Sequence, residues 1–68
     1  MEERVKIGKR VAEIRERKGL SQVRLSELAG INRPHLIRIE QGRYNVGVDT
    51  LEKIVNALDC EIEIREKS

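Results

Sequence analysis

Glycines at positions 19, 30 and 42 divide this chain into short segments. Two of them are followed two residues later by a side chain suited to capping a helix, Ser21 and Asn32. Punctuation this close leaves room for short helices joined by tight turns. It sets the frame for everything else in the 68-residue sequence, which is one domain at most, spanning 1–68.

Each segment carries an apolar stripe at helical spacing. The first helix is expected over 3–18, with Ile7, Val11 and Ile14 on one face and a basic last turn before Gly19. The second is expected over 21–29, with Leu25, Leu28 and Ala29 turned inward. The third, 32–41, has Leu36 and Ile39 inward and accepts Pro34 in its first turn, where a missing N–H is no loss. The fourth, 50–58, carries Leu51, Ile54, Val55 and Leu58, and Asp49 with Glu52 has the pattern of a capping box. The tail changes period. Cys60, Ile62 and Ile64 alternate with Glu61, Glu63 and Arg65, which predicts a short half-buried strand over 60–65.

A core of this size rarely supplies more than about 3–5 kcal/mol of net stability. The usual supplements are cross-links, metals or oligomerisation. Cys60 is the one cysteine, so no internal disulfide forms. With a single histidine, His35, there is no set of metal ligands and no catalytic triad. The sequence therefore predicts no enzyme, no catalytic residue, no metal and no cofactor. Self-association remains. A lone strand leaves unpaired backbone groups, and the same strand from a second copy is the simplest partner. With Glu63 at the two-fold axis, Glu61 would oppose the partner subunit's Arg65, and Ile62 the partner subunit's Ile64. Such charge pairs contribute about 0.2–1 kcal/mol each.

No run approaches the ~18 apolar residues of a membrane span, and the N-terminus lacks a secretory apolar stretch. The expectation is a cytoplasmic protein. Net charge is only +2, but it is unevenly spread. Residues 1–43 hold eleven Lys/Arg against six Asp/Glu, and residues 44–68 hold three against six. The basic part suits a polyanion.

The second and third segments meet at Ala29-Gly30-Ile31. Two short helices across so tight a turn make a helix-turn-helix, with Ile31 placed to plug the gap between them. The second helix of such a unit lies in the major groove of DNA. Here its outward positions include Asn32, Arg33, Pro34, His35, Ile37 and Arg38, with no acid before Glu40. An arginine fork matches guanine O6 and N7, and Ile37 could meet a thymine methyl. Tyr44 is the only aromatic residue, whereas single-strand binding by stacking would want several.

Residues 14–58 resemble the phage-repressor-like (Cro/cI, or Xre) helix-turn-helix family. The resemblance rests on IR..KGLSQ..L from Ile14, LAGI from Leu28, IEQG from Ile39 and DTLEKI...L from Asp49. It implies an all-α fold, a compact four- or five-helix DNA-binding domain, that binds a double-stranded operator as a homodimer. By position it implies base contacts from Arg33, Pro34, Ile37 and Arg38, with Asn32 and His35 beside them. It implies phosphate contacts from Gln22, Arg43 and Asn45, and a structural ion pair between Arg15 and Glu40. Many members carry a proline shortly after the signature, where this chain has Val46, so the loop holding Tyr44 and Asn45 should take a different path. A strand pairing between subunits also resembles HipB-type antitoxins. That sets two functions side by side: a transcriptional repressor, or an antitoxin that binds a toxin protein and regulates its own operon.

Overall fold

The computed structural model describes residues 2–67, and among them four helices and no strand. They are α1 (Glu3–Arg17), α2 (Gln22–Ala29), α3 (Arg33–Glu40) and α4 (Val48–Ala57).

The caps decide where α2 and α3 begin. The Ser21 hydroxyl accepts the Arg24 N–H at 3.0 Å, and Asn32 Oδ1 accepts the His35 N–H at 2.8 Å. Each satisfies a donor that has no intrahelical partner. The turn between the two helices is fixed by Gly30, whose φ of 71° lies in the left-handed region that side chains avoid. It brings the Ile31 N–H back onto the Ser26 carbonyl at 3.0 Å. Ile31 then packs against the core, half-buried.

That core is made by Leu25 of α2, Leu36 and Ile39 of α3, and Ile54 and Leu58 at α4, all fully buried. Val11 supplies the contribution of α1, with Ile7 and Ile14 partly buried beside it. Burying a side chain of this size is worth about 1.5–3 kcal/mol. The cluster ties all four helices into one packed unit and seats α3 by its inner stripe.

Three expectations need correction. Leu28 is 46% exposed, and Ser26 is buried in its place. The inner face of α2 is centred on Leu25, Ser26 and Ala29, and the Ser26 hydroxyl meets its polar demand by donating to the Val23 carbonyl at 2.7 Å. Secondly, α4 starts at Val48, two residues early. Gly47 is its N-cap, and its carbonyl accepts the Leu51 N–H at 2.9 Å. Asp49 then lies inside the first turn, where it complements the helix dipole but cannot form the expected capping box with Glu52.

Thirdly, the strand over 60–65 is absent. The chain leaves α4 through Asp59, at φ 58°, with the Cys60 N–H on the Val55 carbonyl at 2.8 Å, and has no regular structure beyond. A strand exists only as part of a ladder, and among the described residues no other segment offers an edge. Ile64 is 97% exposed, so the alternation does not mark a face buried by the chain itself.

Candidate nucleic-acid interface

The floor of the site is an ion pair. Arg15 Nε donates to Glu40 Oε2 at 2.7 Å, and its Nη2 to Glu40 Oε1 at 3.1 Å. The third nitrogen, Nη1, donates to the Leu20 carbonyl at 2.9 Å. Gln22 Nε2 adds a bond to Glu40 Oε1 at 3.0 Å. One carboxylate at the end of α3 thus gathers α1, the start of α2 and the connection between them. The side chains are 11% exposed for Arg15 and 6% for Glu40. The hydrogen bond to Glu40 raises the Arg15 pKa above its already high ordinary value, desolvation opposes it, and the charges of Glu40 and then Glu16 reinforce it. The Arg15 guanidinium therefore holds its charge throughout the working range of pH. A forked pair of this kind fixes direction as well as distance.

Gly8 lets α1 and α3 approach closely enough for this. A Cβ at that position would collide with the carbonyl oxygens of Ile39 and Glu40. Neither this contact nor the Arg15–Leu20 bond was legible in the sequence. A buried glycine in mid-helix, next to an apolar stripe, is the one signal that could have pointed to the first.

Above this floor, Asn32, Arg33, Pro34 and Arg38 are exposed along α3. Ile37, expected on the outer face, is half-buried. His35 is half-buried too, and its ring stands edge to face with Tyr44, centroids 4.6 Å apart and planes at 74°. Asn32 has its side-chain oxygen committed to the cap. Arg43 and Asn45 are exposed in the loop after α3. The Gln22 amide keeps a second N–H beyond the one bound to Glu40, so it can buttress α3 and still donate outward. Among the described residues no cluster of His, Cys, Asp and Glu could hold a metal ion, and no helix is long and apolar enough to cross a membrane.

A short capped helix, a left-handed glycine turn and a second capped helix with arginines outward define a helix-turn-helix protein. The chain belongs to the helix-turn-helix family whose sequence model matches residues 11–64. It is 39% identical over 56 residues to the immunity repressor protein of Bacillus phage phi105, an alignment covering 82% of this chain and 39% of the repressor. It is 42% identical over 48 residues to the HTH-type transcriptional regulator PuuR of Escherichia coli, covering 71% of this chain and 26% of the regulator. This chain thus spans well under half the length of these two relatives. The fold is similar to that of the restriction-modification controller protein C.AhdI from Aeromonas hydrophila. The TM-score there is 0.83 at 41% identity, covering 85% of this chain and 88% of that one. The phage-repressor-like reading of the sequence is shown by these relatives, and the all-α fold by the controller protein.

Proposed function

We propose that this chain is a transcriptional repressor that binds double-stranded DNA sequence-specifically, as a homodimer on a near-palindromic operator. The observation that carries this reading is the outward face of α3, where Arg33 and Arg38 are exposed on a helix whose inner face is locked by Leu36, Ile39 and Glu40. A rigid rod presenting arginines is what major-groove readout requires. Arg33, Pro34, Ile37 and Arg38, flanked by Asn32, are the base-reading set, and Gln22, Arg43 and Asn45 contact phosphate. The names of the relatives, an immunity repressor and a transcriptional regulator, support repression as the outcome.

Two features support the homodimer. A groove of about 550 Å³ runs between α1, α4 and the tail, with Ile7, Ile14, Leu51 and Val55 in its wall. Ile62 at its edge and Ile64 beyond it are exposed. A second copy of the same face would cover both, and a two-fold operator requires its two reading helices about 34–36 Å apart, one turn of duplex. The antitoxin alternative rests on strand pairing of the tail between subunits, and residues 60–67 carry no strand.

The test is binding of duplex DNA across a salt series. Affinity should fall with salt along a log–log slope of about −0.9 for each phosphate that a lysine or arginine neutralises. A slope near zero would rule out a polyanion as the partner.

A further inference from the structure

Among the outward residues of α3, His35 stands apart. Its Nε2 is buried and has no hydrogen-bond partner. A histidine that reads a base must offer a ring nitrogen to the groove, and with Nε2 enclosed only Nδ1 is left to do so. Tyr44 packs edge to face against this ring. Aromatic pairs favour this arrangement because the positive rim of one ring meets the negative face of the other.

The pairing is non-local in a telling way. His35 is in the first turn of α3 and Tyr44 lies past its end. Six helical steps lead from His35 to the C-cap Gln41, a run of roughly 9 Å. For the rings to touch, the chain must double back along the helix. It does so at Gly42 and Arg43, where the Arg43 N–H returns to the Arg38 carbonyl at 3.0 Å. Beyond that bond, the Tyr44 ring on His35 is the next contact that anchors the loop to α3. Tyr44 remains 42% exposed, so its phenol is held by one side and open on the other. Arg43 and Asn45, its neighbours, are exposed.

We propose that His35 is a positioning residue and not a base reader. Its ring holds Tyr44, and through it the 43–45 loop, alongside α3, so that Arg43 and the Tyr44 hydroxyl meet the DNA backbone together. The proposal rests on the DNA-binding reading above. It replaces the base contact assigned to His35 by sequence, and it gives Tyr44 a phosphate contact.

The experiment compares two duplexes by fluorescence anisotropy: the best one that the wild-type chain recovers from a random-sequence pool, and an unselected member of that pool. His35→Ala should weaken binding to both by the same ~2- to 10-fold, the range expected for losing one aromatic pair, leaving their ratio unchanged. Tyr44→Ala should weaken both at least as much. The double variant should be no weaker than Tyr44→Ala alone, because His35 acts through Tyr44. His35→Phe keeps a ring against Tyr44 and should stay within about twofold of wild type on both duplexes. The proposal is overturned if His35→Ala or His35→Phe loses affinity only for the selected duplex, or if the two alanine losses multiply. If His35→Ala does not fold, His35→Phe decides the matter by the same criterion. A wild-type chain that binds neither duplex overturns the DNA-binding reading itself, and this proposal with it.

Discussion

Replacing Arg15 by methionine tests the floor of the site. Methionine keeps the length of the stem and removes the charge. Glu40 would lose both bonds of the fork and keep only the Gln22 amide, with its side chain 6% exposed. A carboxylate stranded in this way costs about 3–5 kcal/mol. The Leu20 carbonyl would also lose its Arg15 donor. For a chain of this length the whole stability is on the order of 3–5 kcal/mol. Arg15→Met should therefore be largely or wholly unfolded at 25 °C in a urea titration followed by circular dichroism. The double variant Arg15→Met with Glu40→Met removes the stranded charge and should recover most of the loss, so it should cost far less than the sum of the two single variants. If Arg15→Met costs less than about 1 kcal/mol, or if the double variant is as unstable as the sum of the single ones, the pair does not hold the site together as argued.

Other outcomes follow from the same geometry. Gly8→Ala should destabilise by up to about 2 kcal/mol, crowding against the α3 carbonyls at about 1–3 kcal/mol less alanine's gain of about 1 kcal/mol in helix propensity; a raised urea midpoint would contradict the close approach. Asn32→Ala should cost about 1 kcal/mol through loss of the cap on the His35 N–H, while Asn32→Asp, also a good cap, should melt near wild type. Arg33→Ala and Arg38→Ala should each cost about 1–3 kcal/mol of binding and relax preference at one base position, whereas Arg43→Ala should weaken all duplexes alike and flatten the salt slope by about one unit per site. Quantitative binding to a panel of single-base variants separates the two classes.

Much of this fold is written locally. Ser21 and Asn32 are capping types followed by apolar residues at helical spacing, and both cap. Gly30 stands where a left-handed residue is required, and it has that conformation. What the sequence left unwritten depends on contacts between distant segments. Leu28 and Ser26 exchange roles because the direction of the inner face is set by what packs on α2, not by which residues are apolar. The start of α4 moved to Val48 because Gly47 needs no side chain to cap a helix, so no capping residue marked it. The tail alternates as a strand would, yet alternation is only half of a strand, and the other half is a neighbour the chain lacks. At the site, the outward arginines of α3 were legible from spacing. The partner of His35 was not, because Tyr44 lies on the far side of a chain reversal and nothing in the spacing links the two.

The most direct measurement is selection of duplexes by the purified chain from a random-sequence pool, followed by sequencing of what is retained. A two-fold dimer reading DNA with α3 should enrich a near-palindrome whose half-site centres lie one helical turn apart, with guanines where Arg33 and Arg38 fall. A retained pool as random as the input, or an enriched motif with no two-fold symmetry, would contradict it.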